Sequence, residues 1–303
     1  MIIKQILDLK KAKNAILLAH YYTLPEVQDV ADFVGDSLAL SKQAANTNAD
    51  IILFAGVHFM AETAKILSPH KKVLLPNLDA GCSLADNCSA KQLALFLKDY
   101  PEHTVISYIN CSAEVKTLSD IIVTSGNALK IVSTLPKDAK IVFAPDRNLG
   151  AYINKETGRK MVLWNGACHV HDQLTADEVF KLKTKYPNAK VLAHPECKAT
   201  VLAHADFIGS TAAMLNFAKN DTSNEYIVAT ETGILYEMQK QNPDKQFYGV
   251  NNPETDFCNE CEYMKKNNLD KIYNALLTES PEIILSEDII KNAWAPIQKM
   301  LEY

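Results

Sequence analysis

The sequence predicts an α/β protein made of three pseudo-equivalent parallel-sheet domains, an internal triplication of about 86–90 residues around a central site. Three observations predict it. Short apolar runs rich in Ile, Val, Leu and Phe alternate with helical stretches, the pattern of parallel strands covered on both faces. Four strand-end landmarks recur three times, in the same order, at spacings of 85–93 residues. The polar residues of each repeat gather at those strand ends, where parallel α/β sheets bind ligands.

The strands follow in chain order. AILLAHYY (15–22), DFVGDS (32–37), IILFAG (51–56) and KKVLLP (71–76) form the first set. TVISYIN (104–110), IIVTSG (121–126), KIVFAPD (140–146) and KMVLWNG (160–166) form the second. KVLAHPE (190–196), DFIGST (206–211), EYIVATE (225–231) and QFYGV (246–250) form the third. First strands end at His20-Tyr21-Tyr22, Tyr108-Ile109-Asn110 and His194-Pro195-Glu196, spaced by 88 and 86. Second strands run into Ser37, Ser125 and Ser210-Thr211, and third strands end at Ala55, Ala144 and Ala229. Fourth strands lead to Cys82, Cys168 and the Cys258-Asn259-Glu260-Cys261 loop. The expected units are 1–84, 85–170 and 171–284, with a helical tail over 285–303 packing on the first. Each is small for a domain, so the three are expected to pack tightly together.

Composition narrows the function. With 48% hydrophobic and 22% charged residues the chain is neither disordered nor, with 10 Gly and 12 Pro, collagen-like. A net charge of −5 argues against a nucleic-acid partner. The longest apolar stretch, Ile51 to Ala61, is interrupted by His58 and falls short of the roughly 20 residues that span a bilayer, so no membrane partner is expected. The N-terminal residues lack the pattern of a secretory signal, and seven Cys without one argue for a reducing, cytoplasmic setting. Only Arg147 and Arg159 accompany 29 Lys. Anions must therefore be met by Lys, hydroxyls and helix N-termini more than by guanidinium forks.

Around a pseudo-threefold axis the strand ends would converge on one cavity lined by His20, Tyr22, Ser37, Tyr108, Asn110, Ser125, His194, Glu196, Ser210 and Thr211. One Cys per unit closes it: Cys82, Cys168 and either Cys258 or Cys261. Three thiolates from distant segments can hold a [4Fe–4S] cluster and leave one iron open, which suits dehydration chemistry. Buried structural cysteines are the plain alternative, and the repeat is what favours ligation. The hydroxyls read either as helix N-caps or, with three caps opening toward one cavity, as anion anchors. His169 or His171 is expected beside the metal, and Glu231 and Thr232 beside the cavity. His58, His70, His103 and His204 read as core or surface residues, Cys88, Cys111 and Cys197 as packing, and Glu62 as a helix start.

The strings LAHYYTLPEVQDVADFVGDSLAL, GVHFMAETAKIL, PNLDAGCSLAD, YINCSAEVKTLSD, TSGNA, FAPDRNLG, WNGACHVH, AHPEC, IGST, ATETGILYEM and CNECEYMK, in order, resemble the quinolinate synthase (NadA) family of bacterial NAD biosynthesis. The resemblance implies condensation of iminoaspartate (iminosuccinate) with dihydroxyacetone phosphate to quinolinate, releasing phosphate and two waters. It implies a [4Fe–4S] cluster on Cys82, Cys168 and Cys261, with Cys258 spare. It implies substrate contacts at His20, Ser37, Tyr108, Asn110, Ser125, His194, Pro195, Glu196, Ser210 and Thr211. Catalytic roles fall to Glu196, Tyr22, His20 and His194, and an aspartate-oxidising enzyme would supply the imine. Another [4Fe–4S] hydro-lyase, or a non-enzymatic iron–sulfur or zinc redox sensor, remains the alternative on residue chemistry alone.

Overall fold

The computed structural model describes residues 1–251 and 259–303. Its strands are β1 (Ala15–His20), β2 (Phe33–Gly35), β3 (Ile51–Ala55), β4 (Lys72–Leu74), β5 (Thr104–Tyr108), β6 (Ile121–Val123), β7 (Ile141–Ala144), β8 (Val162–Leu163), β9 (Lys190–Ala193), β10 (Phe207–Ile208), β11 (Glu225–Ala229) and β12 (Gln246–Gly249). They form three four-stranded sheets of orders β2-β1-β3-β4, β6-β5-β7-β8 and β10-β9-β11-β12. Every pairing within them is parallel. The sequence expectation of three parallel-sheet α/β units is met.

The strands are apolar almost throughout because both faces are covered. Ile52 and Phe54 of β3 face a core shared by all three units, while Ile51, Leu53 and Ala55 face an outer layer on the first sheet. In β11, Tyr226 and Val228 take the shared side, and Ile227 and Ala229 the outer one. That alternation is the period of two of a pleated strand.

One device recurs in every unit. The Asp before the second strand accepts a hydrogen bond from the backbone N–H fifteen residues earlier, in the first strand: Asp32 from Leu17 (2.7 Å), Asp120 from Val105 (2.8 Å) and Asp206 from Val191 (2.7 Å). Each Asp returns its own N–H to the same residue's carbonyl. The clamp pins the start of the edge strand and so fixes the register of the pair.

After the third sheet the chain returns to the first. Helix Leu269–Thr278 lies on helix Ile2–Ala12, burying Ile272 and Leu276 with Ile6 and Leu17. The last helix, Glu287–Leu301, is capped by Ser286 and rests on helix Ala113–Thr117 and β6 of the second unit, and also on helix His58–Leu67 of the first. Its C-terminal carbonyl at Met300 accepts from Asn127 Nδ2 at 2.9 Å.

Candidate functional site

In each sheet the chain leaves the first strand on one side and returns on the other. A crevice therefore opens where β1, β5 and β9 end. The three crevices meet in one pocket with about 690 Å³ of atom-free space, its solvent-open mouth included. Its wall carries His20, Tyr22, Ser37, Tyr108, Asn110, Ser125, His194, Glu196 and Thr211, together with Cys82, Cys168 and Cys261. Side chains of different units meet across it. Tyr22 Oη lies 3.0 Å from Thr211 Oγ1 and 2.7 Å from Thr230 Oγ1, and His194 Nε2 lies 3.1 Å from Ser125 Oγ.

Each of the three cysteines occupies the N-cap of a short helix: Ser83–Asp86, His169–Gln173 and Glu262–Lys265. Burial pushes the thiols up, to about 12 for Cys82 and about 11 for Cys261, and Cys168 well above its ordinary value. Backbone N–H groups of the following turn pull each sulfur the other way. Cys261 adds to the rise at Cys82, and Cys82 adds to the rise at Cys168, as expected of neighbouring sulfurs. Buried thiols at free helix N-termini are suited to carry negative charge once a metal displaces their protons. His171 Nδ1 is 3.3 Å from Cys168 Sγ, and the ligand atoms of Cys168, His171 and Glu196 lie within 4.8 Å of one another.

Glu196 is the charged centre of the cavity. Its Oε2 lies 3.1 Å from His194 Nδ1 and 3.4 Å from His171 Nδ1, and the two rings stack at 4.7 Å. Burial disfavours its ionisation, but His171, the hydrogen-bonded His194 and the Tyr108 hydroxyl together outweigh burial and hold the carboxyl below its usual range. Burial drives His20 and His171 down to about 3, so both are neutral near pH 7. His20 Nδ1 accepts from the Tyr22 N–H at 3.2 Å, which leaves its proton on Nε2. Burial raises Tyr22 and Tyr108 well above 10, so both keep their protons. The Glu196 carboxylate thus sits between His171 and His194, with the protonated phenols of Tyr22 and Tyr108 on the same wall. Glu196 Oε1 and Asn110 Oδ1 are buried with no hydrogen-bond partner among the described residues.

Comparison with known proteins decides the lineage. A family model described as quinolinate synthetase A protein matches residues 4–302. The chain belongs to the quinolinate synthetase A family. It is 57% identical to a quinolinate synthase of Synechocystis over 98% of this chain and 93% of the relative. It is 57% identical to that of Thermosynechococcus vestitus (99% and 95% covered) and 56% to that of a Nostoc species (97% and 91%). It is an enzyme of NAD biosynthesis, a quinolinate synthase. Three N-cap cysteines around an acidic, acceptor-rich cavity are compatible with an iron–sulfur cluster in this family.

Some expected residues stand elsewhere. Pro195 and Ser210 are not on the cavity wall. Ser210 caps helix Thr211–Asn220 through the Ala213 N–H and donates to Asp36 Oδ2 at 3.3 Å. The cap reading holds for Ser210 but not for Ser37, where Asp36 is the cap, nor for Ser125, since that helix starts after Asn127. The equivalent wall hydroxyls are therefore Ser37, Ser125 and Thr211, each one residue past the position of Asp36, Thr124 and Ser210. Glu62 lies inside helix His58–Leu67 rather than at its start, accepting the Ala113 N–H at 2.9 Å across the boundary between the first two units. Cys88, Cys111 and Cys197 are buried packing residues, and Cys258 lies outside the described residues. Glu231 lines the cavity. Asp146 and Lys265 went unread in the sequence. Asp146 accepts the Cys168 N–H at 3.0 Å, and Lys265 Nζ reaches both Glu231 Oε1 (3.0 Å) and the Tyr22 carbonyl (2.8 Å). Asp146 was legible, for it follows Ala144 as Glu231 follows Ala229.

Proposed function

We propose that this enzyme condenses iminoaspartate with dihydroxyacetone phosphate in the cavity between the three units, closing the pyridine ring with loss of phosphate and two waters. Cys82, Cys168 and Cys261 would hold a [4Fe–4S] cluster, and Cys258 is spare. When bound, such a cluster supplies one iron without a protein ligand, a Lewis acid toward a substrate nitrogen, carboxylate or hydroxyl. Ser37 and Thr211 open helices of ten residues at the wall, and their N-termini suit carboxylate and phosphate groups. Ser125, Asn110 and the Nε2–H of His20 complete a polar wall for the remaining oxygens. Glu196 takes protons from substrate carbon and returns them to leaving hydroxyls, with Tyr22 and Tyr108 as donors and His194 orienting the carboxylate. Burial of the site keeps water from the imine. An aspartate-oxidising enzyme would supply that imine, and a cytoplasmic setting suits both the labile intermediate and the free thiols.

The observation that carries this reading is the buried Glu196 carboxylate between His171 and His194 in a cavity walled by all three units. Glu196→Gln preserves shape but cannot take a proton. It should retain cluster and quinolinate binding while turnover falls by roughly 10²–10⁴. Near-wild-type turnover with an intact cluster would move the proton to another group, Tyr22 first. Iron and sulfide counting after anaerobic purification tests the cofactor, and zinc without sulfide would favour the redox-sensor alternative. Turnover with dihydroxyacetone phosphate separates this reaction from a hydro-lyase that needs no phosphate site.

A further inference from the structure

Asp146 and Glu231 do the same work in different units. Asp146 stands two residues beyond Ala144, the last residue of β7, and Glu231 stands two residues beyond Ala229, the last of β11. Both are completely buried. Each carboxylate divides its oxygens in the same way. One accepts from the first turn that follows the strand: Asp146 Oδ1 from the Leu149 N–H at 2.8 Å, and Glu231 Oε2 from the Gly233 N–H at 2.7 Å. The other accepts from the backbone of a cysteine: Asp146 Oδ2 from the Cys168 N–H at 3.0 Å, and Glu231 Oε1 from the Cys261 N–H at 3.0 Å. The cysteines lie 22 and 30 residues downstream, so chain proximity does not explain the coincidence. The first unit carries Val57 at the equivalent place, two residues beyond Ala55, and a valine has no acceptor to offer Cys82.

We infer that Asp146 and Glu231 are a matched pair of positioning residues, each anchoring the backbone of one cluster-ligand cysteine to the third strand of its sheet. The inference rests on the reading of Cys168 and Cys261 as ligands. A cysteine at the N-cap of a short helix has few other constraints, and helices His169–Gln173 and Glu262–Lys265 span only five and four residues. Anchoring its N–H to a rigid strand fixes where the sulfur stands. Glu231 has a second task. Lys265 pairs with its Oε1 and also donates to the Tyr22 carbonyl, so the Cys261 anchor is tied to the end of β1 in another unit.

The test is the rate at which a chelator strips iron from anaerobically purified, cluster-loaded protein. Asp146→Asn and Glu231→Gln each exchange an oxygen for a group that cannot accept an N–H. Each should fold, load cluster and lose iron roughly 10–100-fold faster than wild type, as for partners that orient metal ligands. Glu62→Gln is the control, a buried carboxylate that accepts the backbone N–H of Ala113 and none from the three ligand cysteines, and it should lose iron at the wild-type rate. Wild-type rates in both variants would overturn the inference, as would equal acceleration in Glu62→Gln, which would mark a general loosening. Amide exchange in the unsubstituted holoenzyme decides the matter if a variant does not fold. Protection at Cys168 and Cys261 supports the anchors, and rapid exchange there overturns them. Wild-type protein that takes up no cluster would instead overturn the ligand reading itself.

Discussion

At the scale of single residues, burial rather than sequence neighbourhood sets the chemistry. His20 is neutral because burial pushes its pKa down to about 3, against 6.5 for a free imidazole. Between those values the unfolded chain binds a proton that the folded chain does not. Stability attributable to His20 is therefore intact above pH 6.5 and lost as pH falls toward 3, by about 1.4 kcal/mol per pH unit. His20→Gln should flatten the pH dependence of urea unfolding below pH 6.5, and an unchanged slope would show that His20 is protonated in the folded protein. The cysteines give a second expectation. Serine at Cys82, Cys168 or Cys261 should abolish the brown chromophore on anaerobic reconstitution, while Cys258→Ser should keep it. A full chromophore in Cys261→Ser but not in Cys258→Ser would exchange the roles of that pair.

At the scale of elements, the repeat is held by Asp32, Asp120 and Asp206, whose clamps share a fifteen-residue offset. The motif is visible in the strings ADFVGDS, SDIIVTSG and ADFIGST, yet an Asp before a strand reads as ordinary turn chemistry until its partner is known. Asp206→Ala leaves the buried Val191 N–H without its side-chain acceptor. It should cost about 1–3 kcal/mol in denaturant unfolding with little change in turnover at the distant cavity. A neutral substitution would mean that the backbone pairing alone sets the register. The cap residues teach a similar lesson. A Ser after a strand is a sound cap candidate, but which of two adjacent polar residues turns its oxygen back onto the helix depends on backbone angles that composition does not encode. Asp36 and Ser210 took the cap, which left Ser37 and Thr211 on the cavity wall.

At the scale of the molecule, one core joins the three sheets. Phe54 of the first, Phe143 of the second and Tyr226 of the third belong to a single cluster of buried side chains. Separate melting of the units is therefore not expected. Phe54→Ala should remove about 3–5 kcal/mol, a large share of the roughly 5–15 kcal/mol typical of a folded protein. Calorimetry should show one transition displaced downward as a whole, and two resolved transitions would show that the units fold independently. The return of the C-terminal helices supports the same view, since helix Leu269–Thr278 seals the outer face of the first sheet and helix Glu287–Leu301 bridges two units.

The sequence by itself determined the three parallel units, the strand ends and the set of residues near them. Strand burial on both faces leaves a continuous apolar run, and a triplicated chain repeats its landmarks at a nearly constant interval. Tyr22, Asn110 and Glu196 could be aligned on that ground alone. Tertiary structure alone decided what those residues do to one another. That Glu196 is held below the usual carboxyl range follows from His171 and His194 standing beside it, one from helix His169–Gln173 and one from the end of β9. That Asp146 and Glu231 grip cysteines follows from loops closing back over 22 and 30 residues. Periodicity is a property of the local chain and is written along it. Electrostatics and hydrogen bonding depend on distance in space, and here the deciding distances join residues the chain keeps far apart.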